Sequence, residues 1–453
     1  MIRQFIIAAT LSLAPAAWAQ RPSEAELQLL SSVLPLIQNQ NWSAAETGLK
    51  NGLANFPRSA VLSNALGMVY EQENRKPDAI LAFEQAVEWL PDFTAAQVHL
   101  ASLYADSGSC SRAESLFLAA AENTTDAGAL STVGFGLAHC KNYLGAARVL
   151  KKAHVSDPAS SVTIFNLALA QYQSGEFDAA LSSLDALHPG AEQERAEVLY
   201  LRGKVLQVLN KVGGTASLTR ACRLRPREDY CNDAAVGLIK AEQFTEAVSL
   251  IESANQAMSS PAVSLLCVLG LAQFRLGRYR EAIETYRTAI HLDPQLDAAR
   301  EGLGFLLYMT GDLERARSVI EEGLSRSGVD FYLPYLRALV LYRTSSALWP
   351  EALKSLAESI RGSSNFAPSY FLRGKIAMEE GRDSAALADF QSAAKLDPKY
   401  PLPYYKMAQL YLHLGRRAEA DQAREQFAAL GNQREEELLA KQAQALLLTH
   451  AVH

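Results

Sequence analysis

The chain has 453 residues, of which 49% are hydrophobic, so it can bury a large apolar area. Its 43 Lys and Arg against 49 Asp and Glu leave a formal net charge of −6, too small at this length for a global field that favours nucleic acid or an anionic membrane surface. Length alone predicts roughly three ordinary globular domains, a prior that an internal period overrides.

The first element is a leader. Arg3 precedes an apolar stretch from Phe5 to Ala17, and Ala17-Trp18-Ala19 supplies the small-x-small pattern of a cleavage site. Residues 1–19 are therefore expected to be a cleaved signal peptide of bacterial type, and residues 20–25 a short leader. The expected location is periplasmic or secreted. The apolar stretch is short for a bilayer, and no later segment reaches about twenty uninterrupted apolar residues, so no integral membrane span is expected.

From residue 26 to 432 two columns of small residues run in phase. One reads Ala45, Ala79, Ala113, Ala146, Ala180, Gly214, Ala247, Ala282, Ala316, Ala352, Ala386 and Ala420, with gaps close to 34 residues. The other reads Val33, Gly67, Ala101, Gly134, Ala168, Gly203, Ala235, Gly270, Gly304, Ala338, Gly374 and Ala408. Small residues at a helical crossing let two backbones approach closely. Between the columns falls a turn with Gly108, Gly175, Gly277, Gly311, Gly381 or Gly415, suited to a left-handed helix terminus. Two residues later an aromatic is frequent (Trp42, Tyr143, Phe177, Phe244, Tyr279, Trp349), and the expectation is that it wedges between the helices. Pro57, Pro91, Pro158, Pro226, Pro294 and Pro398 close the second helix.

This unit of helix, tight turn, helix and Pro-bounded turn resembles the tetratricopeptide repeat. In the segment ending at Pro294, Leu266, Leu269, Gly270, Gly277, Tyr279, Ala282, Tyr286 and Ala289 stand where the family pattern places its signature residues. In the segment ending at Pro398, Tyr370, Gly374, Gly381, Ala386, Phe390 and Ala393 do so. The resemblance implies an all-α fold, an α-solenoid in which about twelve repeats wind into a right-handed superhelix. Residues 433–453 break the period yet keep a helical face of Leu439, Ala443, Leu446 and Leu447, with Glu435, Glu436 and Glu437 at the positive end of the dipole. They are expected to form a C-terminal capping helix and tail, since the last repeat lacks a neighbour to cover it.

No catalytic spacing is present: no Gly-rich phosphate loop, no His-Glu-x-x-His helix and no Gly-x-Ser-x-Gly elbow. His139, His154, His291 and His413 stand on helices without a second ligand four residues on. The chain is read as a non-enzyme with no cofactor and no metal. For the five cysteines two pairings are plausible, Cys222 with Cys231 and Cys110 with Cys140, leaving Cys267 free. The other reading is five reduced thiols packed as small apolar residues.

In the resembled family the first helices line a concave groove. Its residues here would be Phe135 and His139, Phe165 and Tyr172, Phe274 and Arg275, Phe305 and Tyr308, Tyr332 and Tyr335, Tyr342 and Arg343, and Phe371 and Lys375. Two readings stand side by side: a track for a protein or extended peptide, with rings giving contact area and cations drawing carboxylates, or rings that pack internally. The family's Lys/Asn/Arg clamp for chaperone tails is not matched, because its positions hold residues such as Phe165, Leu169, Cys267 and Leu271. The function expected is thus a non-catalytic protein- or peptide-binding scaffold of the bacterial cell envelope. The alternative is a carbohydrate- or cell-wall-binding protein that stacks the same aromatics on sugar rings.

Overall fold

A computed structural model describes residues 22–187, 195–326, 331–431 and 433–450. The expected signal peptide lies outside the described residues. Two compact units divide between Ser217 and Leu218.

In the first unit the helices pair as α1 (Glu24–Gln38) with α2 (Trp42–Asn55), α3 (Ala60–Gln72) with α4 (Lys76–Trp89), and α5 (Thr94–Asp106) with α6 (Cys110–Glu122). Then come α7 (Ala127–His139) with α8 (Tyr143–Ser156), α9 (Ser161–Gln173) with α10 (Phe177–Asp185), and α11 (Ala196–Val208), which leads to α12 (Gly214–Leu224), the helix within which the division falls. The second unit continues with α13 (Glu228–Lys240) and α14 (Phe244–Ala257), α15 (Val263–Arg275) and α16 (Tyr279–Leu292), and α17 (Asp297–Thr310) and α18 (Leu313–Arg326). It ends with α19 (Tyr332–Thr344) and α20 (Trp349–Gly362), α21 (Ala367–Glu379) and α22 (Asp383–Leu396), α23 (Pro401–His413) and α24 (Arg417–Leu430), and a final α25 (Glu435–His450). The described residues contain no β-strand, and within each unit most helices pack on their hairpin partner and on the adjoining hairpin.

The two small columns are where the pairs lock. All eleven alanines of the second-helix column are fully buried. At the first-helix column a large side chain from the second helix seats over the missing side chain. A Cβ on Gly67 would stand 2.7 Å from the Phe83 ring, one on Gly134 2.4 Å from Leu150, one on Gly270 2.8 Å from Tyr286 and one on Gly374 2.7 Å from Phe390. The wedge is therefore this side chain near the middle of the second helix. The aromatics expected to wedge instead open the second helix and stay partly exposed, Tyr279 at 46%. They lean on rings of the first helix, as Tyr172 and Phe177 (centroids 5.7 Å) and Tyr342 and Trp349 (5.8 Å) do. The reason is position: the first turn of the second helix lies at the rim of the hairpin.

Gly277, Gly311, Gly381 and their counterparts take φ between 72° and 85°. Where the sequence has no glycine, Gln40, Asn74, Lys141, Asn210 and Glu242 adopt the same left-handed turn at φ of 51–62°. Cys110 is bonded to Cys140 with Cα atoms 5.4 Å apart, and Cys222 to Cys231 at 4.8 Å. Cys267 is a buried free thiol.

Candidate functional site

The candidate site is the first-helix face of the second unit, and the chain's own α25 lies on it. Residues 435–450 read EEELLAKQAQALLLTH, a run of good helix formers with three carboxylates in the first turn. Leu439, Ala443 and Leu447, spaced i, i+4, i+8, share one face and are buried together with Leu448. That face packs on α17 and α15, and Leu438 touches the core of α21 to α24. The position differs from the end cap expected for residues 433–453. A cap would stack on α24, whereas the leucine face and the polar ends of α25 find complementary partners along the inner wall.

Three polar contacts fix the register. At the N-terminal end, Lys375 Nζ donates to Glu435 Oε1 at 2.8 Å, while the same ammonium sits 5.0 Å above the Tyr342 ring and 5.9 Å from that of Phe371. Further along, the Arg275 guanidinium donates to Gln444 and also lies 4.7 Å over the Phe244 ring. At the C-terminal end, His450 Nδ1 lies 2.7 Å from Glu301 Oε2, and its ring meets Phe331 edge-on at 6.3 Å.

The electrostatics follow from burial. Burial first, and then the Lys375 charge, hold the Lys406 ammonium below its ordinary range, with Glu435 opposing the shift. Burial pushes the Tyr308 phenol up to about 12 against the pull of Arg343, and pushes Tyr335 and Tyr400 well above the usual phenol range, with the Glu435 carboxylate adding to each. The partly exposed Glu435 carboxylate thus meets two ammonium groups and a set of buried phenols, a setting that suits an acidic helix start.

Of the groove candidates in this unit, Phe274, Phe305, Tyr308, Tyr332, Tyr335 and Phe371 are buried. Phe274 meets Phe305 at 5.6 Å, and Tyr332 and Tyr335 gather with Phe366 at 6.2 and 5.0 Å. They form the floor and present no open ring face for stacking. Arg343 is a strut, donating to the Tyr308 carbonyl at 3.0 Å and lying 5.3 Å over its ring. Arg275, Lys375 and the half-buried Tyr342 are the members that reach α25 or its latch. In the first unit Phe135 (52% exposed) and His139 stand open, while Phe165 and Tyr172 pack partly into the core between α9 and α11.

The sequence reading missed Lys406, Phe366 and the whole of α25 as an occupant of the site. The available signal was the isolated Leu/Ala stripe behind three glutamates. Among the described residues no cluster of three or more metal-ligating side chains occurs, and no helix is long and apolar enough to cross a membrane.

With hairpins, crossing seams and inner face in view, the match to known sequences is decisive. Models described as TPR repeat and tetratricopeptide repeat fit residues 270–311 and 374–415, and residues 33–92. The chain contains tetratricopeptide repeats. It is 24% identical over 315 residues to tetratricopeptide repeat protein 37 of Xenopus laevis, an alignment covering 68% of this chain and 18% of that one. Similar solved structures include yeast Tom70, 12% identical, covering 92% of this chain and 98% of that chain at a TM-score of 0.42. Another is Naa15/Naa10 bound to HypK-THB, 14% identical, covering 89% and 68% at 0.41. YrrB, described as a TPR protein with an unusual peptide-binding site, is 15% identical and covers 40% and 94% at 0.36. Tetratricopeptide scaffolds in general bind proteins and are typically non-catalytic, which supports a protein-interaction role.

Proposed function

We propose that the protein is an exported scaffold of the bacterial cell envelope that binds a segment of a partner protein on the first-helix face of its second unit. The observation carrying this reading is that the face accepts a sixteen-residue helix, seating a Leu/Ala stripe while Lys375 meets a carboxylate and Arg275 a side-chain amide. The leader of residues 1–19 supports export, and two cysteine pairs at bonding distance suit an oxidising compartment. No observation favours the carbohydrate reading, because six of the rings that would stack on sugar, Phe274, Phe305, Tyr308, Tyr332, Tyr335 and Phe371, are buried in the floor.

Affinity capture from the native envelope, with mass spectrometry, tests the proposal by comparing the wild type with Arg275→Glu/Lys375→Glu. A partner recovered by the wild type and lost by the variant is the expected result. Equal recovery would move recognition to another surface. Joint substitution of Tyr335 and Arg343 is unsuited to the purpose, since Tyr335 is core and Arg343 holds the Tyr308 carbonyl. Cell fractionation checks the location, and a cytosolic protein with an intact leader would refute export.

A further inference from the structure

The hairpin seams that build the walls of the groove are closed without α25. Helix α15 is locked to α16 by the Tyr286 ring over Gly270, α17 to α18 by Ile320 over Gly304, and α21 to α22 by Phe390 over Gly374. None of these seams includes a residue of α25. Four of its sixteen residues are buried, against ten of thirteen in α15 and eleven of fourteen in α17. Its polar contacts join residues 60, 149 and 169 positions apart, so they hold one segment to finished walls. Such a segment can leave as one cooperative unit while the repeats stay folded.

The tether matters as much as the contacts. Gly431, with φ of 83°, ends the run after α24, and α25 begins at Glu435. A leash this short keeps α25 at an effective concentration in the millimolar range or above. Any outside ligand for the same face must compete with it.

We propose that α25 is a built-in, reversible competitor, displaced by an amphipathic helix of a partner protein that carries the same recognition pattern. The proposal rests on the reading that this face is the recognition surface. The pattern is an acidic first turn for Lys375 and Lys406, followed by Leu/Ala side chains at i, i+4 and i+8. The free protein is then largely closed, and its apparent affinity is lowered by the fraction of molecules in which α25 is docked. Docking in 99% of molecules weakens binding about a hundredfold.

The test uses the full chain and, as probe, a fluorescein-labelled synthetic peptide of residues 433–450 read by anisotropy. In the Leu439→Glu/Leu447→Glu chain the resident helix loses its apolar face and the walls are untouched. This chain is expected to bind the probe at least tenfold more tightly than the wild type. Adding Lys375→Glu to it should weaken the probe, and a probe with Glu435→Lys should recover binding. Equal affinity for wild type and variant, or no binding by a variant with wild-type helicity, overturns the proposal.

Hydrogen exchange on the wild type gives an independent measure if the variant does not fold. The amides of α25 should exchange together and faster than those of α15 and α17, and coincident exchange overturns the idea. A dimer by light scattering in which α25 is traded between two copies also overturns the intramolecular form. The peptide assay needs no outside partner. If it fails while capture succeeds, the scaffold reading stands without the competitor; if capture fails while it succeeds, the groove has its competitor and the scaffold reading falls.

Discussion

Gly302 offers the sharpest test of how the wall of the groove is built. The Tyr286 ring of α16 is 1% exposed and lies between Gly270 of α15 and Gly302 of α17. A Cβ on Gly302 would stand 2.4 Å from two ring carbons and 2.7 Å from the hydroxyl oxygen, and the ring cannot retreat, because a Cβ on Gly270 would already lie 2.8 Å from its other side. Alanine in a helix interior gains about 1 kcal/mol over glycine, while overpacking costs about 1–3 kcal/mol. Gly302→Ala is therefore expected to destabilise these repeats by about 1 kcal/mol. Tyr286→Ala alone should cost about 3–5 kcal/mol. In that background the clash is gone, so Gly302→Ala should stabilise by about 1 kcal/mol, and the coupling across the cycle should be about 2 kcal/mol. Native-state hydrogen exchange at α16 and α17 reads the opening of these repeats directly, whatever the rest of the chain does. A Gly302→Ala effect of the same sign and size in both backgrounds would refute the wedge.

Three further outcomes follow from the same geometry. Reduction should lower stability, by about 3.6 kcal/mol for Cys110–Cys140 and about 2.6 kcal/mol for Cys222–Cys231 from their separations of 30 and 9 residues; urea midpoints with and without reductant check this, and unchanged midpoints count against the bonds. Burial, then Glu301 and Asp293, push the Cys267 thiol up to about 12, so alkylation at pH 8 should run about a thousandfold slower than for a free thiol until the protein is unfolded. Fast labelling in the folded state would contradict its burial. Tyr308 keeps its proton up to about 12 in the fold, whereas an unfolded tyrosine loses it near 10. The native state thus binds more protons between those values, and stability should be complete below pH 10 and fall by about 2–3 kcal/mol by pH 12. Melting curves at pH 9 and 11 read the difference, and equal curves refute it.

The repeats were legible because a stacked fold writes its contacts at short range. Ala282 meets its own hairpin and the next, so its column recurs every turn of the stack, and all eleven alanines of that column are buried. The turns were legible only where glycine marks them. Asn74, Lys141 and Glu242 make the same left-handed bend with side chains that give no such mark. The groove was half legible. Spacing put Phe274, Tyr335 and Lys375 on one face, but one face of a helix can line a cleft or form its floor, and neither periodicity nor composition separates the two. The docking of α25 was out of reach, because Glu301 and His450 stand 149 residues apart and no period connects them.

The Cys110–Cys140 bond joins the start of α6 to the end of α7, so it spans from one hairpin to the next. A pulled chain cannot pay out the segment between two bonded sulfurs. At roughly 3.4 Å per residue the two bonds, closing separations of 30 and 9 residues, withhold about 130 Å of contour length. Stretched in an optical trap, the oxidised protein should fall short of the reduced one by that length, and a narrow translocation pore would meet a doubled strand at each bond.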